Sequence, residues 1–245
     1  MTGTSPIAAM RLIDEPAMLV WSRRWRASGD IAMDSLGPVY PPGHTALLLV
    51  DAYNDFLSEG GKLWPRVADV AIAVGLVPNL RRIRQAIACA RWPLFFVPHH
   101  RAGPNDFDRW QYLTPYQQVT SQAQAFLKNG WGGQWHPDFV PAPGDTVAKE
   151  HWGTNGFVGT DLDVLLRQQR ISHVVVIGLM ANVCVETTAR HASELGYHVT
   201  LVTDATAALS HDAMFYAHEV NGPTYAHALL TTREFLARIP FTSDP

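Results

Sequence analysis

The feature that most constrains the fold is a series of short, continuous apolar runs separated by amphipathic segments. The clearest runs are residues 45–50, 94–97, 173–178 and 198–203. Runs of this length are typical of strands that are buried on both faces, as in parallel sheets. Between them, residues 76–90 carry apolar side chains every three or four positions, which predicts a helix with one buried face. The alternation therefore predicts an α/β fold with a mainly parallel central sheet.

The rest of the chain is arranged around this predicted core. We interpret residues 1–43 as an N-terminal extension, since it ends in Pro41-Pro-Gly43, which cannot be helical. Residues 44–245 are then one domain, a usual size for an α/β protein. Within it, residues 101–144 follow no regular period and contain several tryptophans. We expect this segment to be functional or to form an interface.

The composition argues against several classes of partner. The 245 residues have a net charge of −3 at pH 7 and no dense run of Lys and Arg, so we expect no nucleic-acid binding. No apolar stretch approaches the roughly 20 residues that cross a bilayer, so we expect no membrane contact. Charged residues make up 17% of the chain, below the roughly 25% of typical domains. This predicts surface buried in a homo-oligomer, a dimer or tetramer, with a compact monomer as the alternative.

The cysteine content indicates a reducing compartment. Two cysteines, Cys89 and Cys184, are too few for a disulfide scaffold. Residues 1–10 lack the charged and then apolar pattern of a secretory signal, so we expect a cytoplasmic protein. A redox sensor would need both thiols within disulfide reach, and the position of Cys89 on the first predicted helix disfavours that class.

Three polar residues follow predicted strands, and parallel sheets bind their ligands beyond the carboxyl ends of the strands. Asp51 ends the first strand, Lys149 ends a short strand over 146–149, and Cys184 follows the run 173–178 after a turn. Cys184 begins a predicted helix, whose free amides and dipole favour the nucleophilic thiolate. Asp51 can act as a general base, and Lys149 can keep it ionised. Taken singly, each residue also suits an ordinary role: a buried apolar cysteine, a helix cap or an exposed lysine.

Three segments carry a recognisable pattern. They are Leu47-Leu-Leu-Val-Asp51-Ala-Tyr-Asn-Asp-Phe56, Lys149 through Gly156-Phe157-Val-Gly-Thr-Asp-Leu162, and Gly178-Leu-Met-Ala-Asn-Val-Cys184-Val-Glu-Thr-Thr-Ala-Arg190. In this order they resemble the isochorismatase-like cysteine hydrolases. The resemblance implies a three-layer α/β/α fold with a Rossmann-like sheet. It also implies hydrolysis of a C–N bond in a small amide, such as nicotinamide or an N-carbamoyl compound.

The resemblance assigns roles by position. It implies that Asp51 is the base, Lys149 its electrostatic partner and Cys184 the nucleophile that forms a thioester. It also implies a non-proline cis peptide between Leu179 and Met180. The backbone amides of Met180 and Cys184 would then form the oxyanion hole. No cofactor is expected.

The expected pocket departs from the family pattern at Tyr53, where the family usually has Gln. We predict substrate contacts from Tyr53, Phe56, Trp152, Asn155 and His100. The nicotinamidase branch has an Asp-x-His metal motif after its second strand, where this chain has Pro98-His99-His100. Adjacent strand residues point to opposite faces, so at most one of these histidines could join a metal site. We predict no bound metal, although whether His99 or His100 binds one stays open.

Two other functions compete with an amidohydrolase. Isochorismatases in the family cleave a vinyl ether without a cysteine nucleophile, so the presence of Cys184 argues against that branch. A non-catalytic binding protein on the same fold would be expected to lack one of Asp51, Lys149 and Cys184, and all three are present.

Overall fold

The structure, a computed structural model, describes residues 38–240. Its centre is a six-stranded sheet in the order β3-β2-β1-β4-β5-β6, in which every neighbouring pair is parallel. The strands are β1 (Thr45–Val50), β2 (Leu94–Val97), β3 (Thr146–Val147), β4 (His173–Leu179), β5 (His198–Ala207) and β6 (Ala228–Leu230). The predicted parallel sheet is confirmed, and its strand order is Rossmann-like.

Helices cover both faces of the sheet. They are α1 (Asn54–Leu57), α2 (Trp64–Val74), α3 (Leu76–Cys89), α4 (Pro115–Gln122), α5 (Leu162–Gln168), α6 (Glu186–Glu194), α7 (His211–Phe215) and α8 (Thr232–Leu236). π-helical turns span Ala181–Val185 and Tyr216–Asn221, and 3-10 turns span Trp131–Gly133, Pro137–Phe139 and Gly222–Thr224. Within residues 38–240, no helix combines the length and apolar character that crossing a bilayer requires.

Alternate residues of β1 face the two helical layers. Leu47 and Leu49 pack in one core with the buried faces of α2, α3 and α8. Leu48 and Val50 pack in a second core with α5 and α6. Every residue of β1 is buried, because each face of the strand contacts a helical layer. The three-layer α/β/α architecture is therefore confirmed.

A close approach between β1 and β4 shapes the carboxyl edge of the sheet. Val50 pairs with Gly178, and a Cβ atom at position 178 would lie 2.2 Å from the Val50 carbonyl oxygen. Gly178 also has a φ of +112°, which L side chains rarely adopt. The residue after β1, Asp51, has left-handed backbone angles with a φ of 53°, and this turns the chain sharply at the end of the strand. The sheet changes its winding direction between β1 and β4, which is where ligands bind in such folds.

Parts of the chain outside the regular elements are fixed by specific contacts. Residues 1–37, most of the predicted extension, lie outside the described range, but Tyr40 is buried and donates a hydrogen bond to Thr200 Oγ1 (3.2 Å). The aperiodic segment 101–144 is attached through Asp55, whose carboxylate accepts from the amide of Phe126 (2.6 Å). This contact places α4 near the carboxyl edge of the sheet.

Candidate active site

Asp51, His151 and Cys184 meet at the carboxyl edge of the sheet. Asp51 follows β1, His151 lies beyond β3, and Cys184 lies in the π-helical turn after β4. All three are fully buried, with 0% exposure, and their potential ligand atoms lie within 4.8 Å of one another. His151 Nε2 is 3.1 Å from Asp51 Oδ1. The structure thus brings together two of the three residues that the sequence indicated, and adds a histidine.

Lys149 is not part of this cluster. Its side chain is exposed, whereas that of His151 is completely buried. Beyond β3 the chain stays alongside the end of β2, because the His151 amide donates to the Pro98 carbonyl and the His100 amide donates to the His151 carbonyl (both 2.9 Å). This pairing carries residue 151 to the cluster. The prediction that Lys149 lies beside Asp51 is therefore wrong, because His151, two residues further along the chain, lies there instead.

His151 carries hydrogen-bond acceptors at both ring nitrogens. Nδ1 lies 3.0 Å from the Gly153 carbonyl oxygen, and Nε2 faces Asp51. A carbonyl oxygen only accepts, so Nδ1 carries a hydrogen, and a single proton lies between Nε2 and the carboxylate. Burial lowers the pKa of His151, but the Asp51 carboxylate and the Gly153 carbonyl outweigh burial, so the pKa is raised. The contact with the Asp51 carboxylate therefore favours the protonated form of His151.

Cys184 is a buried thiol rather than a preformed thiolate. Burial raises its pKa well above the usual range, and the Asp51 carboxylate raises it further. The Met180 backbone and the Tyr116 hydroxyl lower the pKa of Cys184, but the pKa stays raised overall. We expected a helix start to favour the thiolate, and that expectation is wrong because α6 begins only at Glu186, after the π-helical turn. Proton removal must therefore accompany the reaction of the sulfur.

The turn before Cys184 has the backbone that the resemblance implied. The peptide between Leu179 and Met180 is cis. The Met180 carbonyl accepts hydrogen bonds from the amides of Val183 (3.0 Å) and Val185 (3.1 Å), which hold the π-helical turn. The Met180 backbone also interacts with the Cys184 sulfur. An oxyanion hole formed by the Met180 and Cys184 amides stays a prediction.

Tyr116 belongs to the site and was not predicted. It lies in the first turn of α4, where Thr114 and Gln117 form a capping box. The Gln117 side chain donates to the Trp152 carbonyl (2.9 Å), which ties α4 to the chain just after His151. The Tyr116 hydroxyl is buried and interacts with the Cys184 side chain. Burial, with Cys184 and Asp51 nearby, raises its pKa.

A small cavity of about 40 Å³ is lined by Tyr116 and Met180, which both interact with Cys184, while Asp51, His151 and Cys184 are not among its lining residues. Its lining includes Phe56, Leu63, Arg66, Tyr116, Met180 and Leu209. A single water occupies roughly 10–15 Å³ on this scale, so the cavity admits a small group only. Among the predicted substrate-contact residues, Phe56 lies here. One oxygen of Asp51, Oδ2, is buried and lacks a hydrogen-bond partner in the described part of the chain.

Tyr53 and Asn155 make contacts within the protein, and their predicted substrate contacts stay a prediction. The Tyr53 side chain is fully buried, stacks on Trp135 and donates its hydroxyl hydrogen to the His99 carbonyl (3.0 Å). Asn155 donates to the Thr187 carbonyl (3.3 Å) and so links its loop to α6. Neither residue lines the cavity beside Cys184, because these partners hold both side chains elsewhere.

His100 and Trp152 line a separate open groove together with Arg101, Lys128 and Glu150, and their predicted substrate contacts stay a prediction. Their rings stack with centroids 3.5 Å apart. His100 Nε2 is 2.7 Å from Asp106 Oδ2, and Nδ1 is 3.3 Å from Glu150 Oε2, so both nitrogens have partners. Burial lowers the pKa of His100, but the two carboxylates outweigh it and the pKa is raised. Side chains alternate in direction along the extended chain after β2, so His99, and not His100, points towards the cluster.

His99 lies against His151, with ring centroids 5.2 Å apart. Its Nδ1 is 2.9 Å from the His100 carbonyl, and its buried Nε2 has no hydrogen-bond partner among the residues that the structure describes. Burial lowers the pKa of His99 to about 4, so the ring is neutral. In the described range, the side chains whose spacing suits a metal ion are Asp51, His151 and Cys184, and neither His99 nor His100 joins that group.

Comparisons with known proteins show which family and fold this chain resembles. The Isochorismatase domain matches residues 45–232. The ureidoacrylate amidohydrolase RutB of Variovorax paradoxus is 30% identical over 249 aligned positions, covering 96% of this chain and 93% of the relative. The enzyme of the same name from an Enterobacter species is 33% identical over 180 positions, covering 68% and 76%.

Solved structures share the fold. A cysteine hydrolase from Pseudomonas syringae superimposes with a TM-score of 0.67 at 22% identity, covering 82% of this chain and 94% of its own. The N-carbamoylsarcosine amidase from Thermoplasma acidophilum has a TM-score of 0.57 at 28% identity, covering 78% and 97%. Because the domain match spans most of the sequence, the chain belongs to the isochorismatase family.

Proposed function

We propose that this protein is a cysteine hydrolase that cleaves the C–N bond of a small ureido or carbamoyl compound. The observation that carries the proposal is the buried cluster of a thiol, a carboxylate and an imidazole within 4.8 Å at the switch point of the sheet. Relatives named ureidoacrylate amidohydrolase and a similar structure named N-carbamoylsarcosine amidase support the substrate class.

The first step is a proton transfer coupled to attack. Asp51 Oδ2, which has no hydrogen-bond partner in the described chain, takes the Cys184 proton as the sulfur bonds to the substrate carbonyl carbon. The raised pKa of the Cys184 thiol makes this coupling necessary. Protonated His151 holds Asp51 in place through the 3.1 Å contact and balances its charge. The Tyr116 hydroxyl stabilises the developing thiolate.

The remaining steps return the site to its starting state. The amides of Met180 and Cys184 donate to the tetrahedral oxyanion. Asp51 passes the proton to the leaving nitrogen, ammonia departs, and the carbonyl carbon remains bonded to the sulfur, as a thiocarbamate for a ureido substrate or a thioester for a simple amide. Asp51 then deprotonates a water molecule that attacks this carbon. The sulfur leaves and regains its proton from Asp51.

An ammonia-release screen over small ureido, carbamoyl and amide compounds tests this proposal. We expect Cys184→Ala to lower kcat on the best substrate by at least roughly 10³-fold, since nucleophile variants of this kind lose most catalysis. Cys89→Ala is the matched control, because Cys89 is exposed on α3. Full activity in Cys184→Ala, or ammonia release from none of the compounds, would contradict the proposal.

We also propose that the protein is a cytoplasmic homo-oligomer, a dimer or tetramer. Its low charge content supports this, and so do the tryptophans Trp110 and Trp131, which are 42% and 49% exposed in the single chain. Light scattering after size-exclusion chromatography measures the mass directly. A mass of 27.1 kDa at micromolar concentration would overturn the oligomer.

A further inference from the structure

The buried cluster of Asp51, His151 and Cys184 differs in one position from the set of residues that the family resemblance implied. That set pairs Asp51 with a lysine, and the structure places the His151 ring there instead. A protonated amine has no lone pair to offer a metal ion, whereas an imidazole nitrogen is a common metal ligand. With a histidine in place of the lysine, all three side chains of the cluster can bind a metal ion.

The potential ligand atoms of the cluster are close enough to share one ion. One ligand atom from each of the three side chains lies within 4.8 Å of the other two, and His151 Nε2 is already 3.1 Å from Asp51 Oδ1. Zinc bonds of about 2.0–2.3 Å to nitrogen, oxygen and sulfur place the ligand atoms roughly 3–4 Å apart. Small side-chain movements therefore suffice to bring a carboxylate oxygen, an imidazole nitrogen and a sulfur to one ion.

Two histidines outside the direct contact between carboxylate and thiol also point to a metal ion. His151 donates its Nδ1 hydrogen to the Gly153 carbonyl (3.0 Å), as metal-bound histidines usually do with the nitrogen that does not bind the ion. His99 points towards the cluster, and none of residues 38–240 forms a hydrogen bond to its buried Nε2. This nitrogen is an acceptor, because Nδ1 donates to the His100 carbonyl. A water on the ion would supply the missing donor.

We propose that Zn²⁺ binds reversibly to Asp51, His151 and Cys184 and inhibits the protein. Binding forms bonds from the ion to oxygen, Nε2 and sulfur, and it releases the Cys184 thiol proton and the His151 Nε2 proton to solvent. The inhibition rests on the proposed function, because the ion occupies its nucleophile and its base, whereas the binding does not. A zinc ion is smaller than any amide, so a route that admits substrate to Cys184 admits the ion. The site is not the Asp-x-His metal motif of the nicotinamidase branch, since neither His99 nor His100 is a ligand.

Ammonia release in buffered free Zn²⁺ tests the site. We expect Zn²⁺ to abolish the activity of the wild type and a chelator to restore it, while Mg²⁺ has no effect because it prefers oxygen ligands. In His151→Lys a protonated amine replaces a ligand. The Zn²⁺ concentration that halves this variant's own activity should rise at least about tenfold, the smallest loss seen when only an outer partner of a zinc ligand is removed. Cys89→Ala, which lacks the exposed thiol, should respond like the wild type. Equal zinc sensitivity of His151→Lys and the wild type would overturn the site and leave the hydrolase intact.

Titration with Co²⁺ gives a readout that does not depend on turnover. A thiolate bound to Co²⁺ absorbs in a near-ultraviolet charge-transfer band, which we expect in the wild type and in Cys89→Ala but not in Cys184→Ala. His151→Lys should need more Co²⁺ to reach the same band, and Asp51→Asn replaces it if that variant does not fold. If these bands appear as expected while the wild type releases no ammonia from any compound, the metal site stands and the hydrolase proposal fails. A wild type without the band, or a band that persists in Cys184→Ala, would overturn the site.

Discussion

Histidines stand at both edges of the same parallel sheet, and their surroundings give them opposite properties. At the carboxyl edge, His151 faces the Asp51 carboxylate, and its pKa is raised in spite of burial. At the amino edge, His173, His198 and His227 stack in series, with ring centroids 4.7 and 4.6 Å apart. Burial and the two neighbouring imidazoles lower the pKa of His198 to about 4.

The difference lies in the neighbours, since His151 and His198 are both at least partly buried. A carboxylate beside an imidazole favours the charged ring, and imidazoles beside an imidazole favour the neutral ring. At the amino edge the neighbouring imidazoles favour the neutral form of His198, and the Nδ1 of His227 accepts a hydrogen bond from the amide of Val199 (3.0 Å). At the carboxyl edge, the Asp51 carboxylate favours the charged form of His151.

Removing the carboxylate should have the largest effect on the carboxyl edge. We expect Asp51→Asn to lower kcat/KM by about 10²–10⁴-fold, because the general base for Cys184 is lost. Asp69→Asn is the matched control, since Asp69 is exposed and pairs with His211 at the surface. The rate of ammonia release is measured for both variants. Comparable losses of kcat/KM in the two would contradict a special role of Asp51 at the carboxyl edge of the sheet.

Acidification should act on the amino edge through stability. The pKa of His198 is depressed to about 4 in the folded state and is about 6.5 unfolded. The unfolded chain then binds more protons, so the free energy of unfolding falls as the pH decreases from about 6.5 towards 4. We expect urea midpoints to fall between pH 7 and pH 5, and His198→Gln to reduce that fall. An unchanged pH slope in His198→Gln would contradict this interpretation.

The open groove should contribute least to catalysis. His100 lies between Asp106 and Glu150, and its contacts stabilise the segment without reaching Cys184. We expect His100→Gln to change kcat/KM by less than about threefold, which corresponds to well under 1 kcal/mol in the barrier. A thermal shift should detect the lost ion pairs. A hundredfold loss of kcat/KM without unfolding would place the groove in the active site after all.

The sequence predicted the parts of the fold that burial determines. β1 and β4 are apolar over their whole lengths because helices cover both faces, so continuous apolar runs identified them. The helix predicted over residues 76–90 is present as α3, because one face of the helix is buried and its apolar residues therefore recur every three or four positions. Asp51 and Cys184 lie directly beyond β1 and β4, so their place at the carboxyl edge followed from the strands.

The rest of the site depends on tertiary pairing that no local pattern encodes. Lys149 and His151 differ by two positions, so strand alternation places them on the same side and cannot choose between them. The choice comes from the contact of residue 151 with Pro98 and His100, since β3 is only two residues long. The Thr114-Pro-Tyr-Gln117 pattern does signal a helix start, but nothing local brings it to Cys184.

The central claim is that His151, and not Lys149, supports the carboxylate that activates Cys184. The most direct test compares kcat for His151→Ala and Lys149→Ala on the best substrate. We predict that His151→Ala lowers kcat by roughly 10²-fold, as expected when a charge partner of a buried base is removed, and that Lys149→Ala leaves kcat unchanged. A large loss in Lys149→Ala with full activity in His151→Ala would contradict the account.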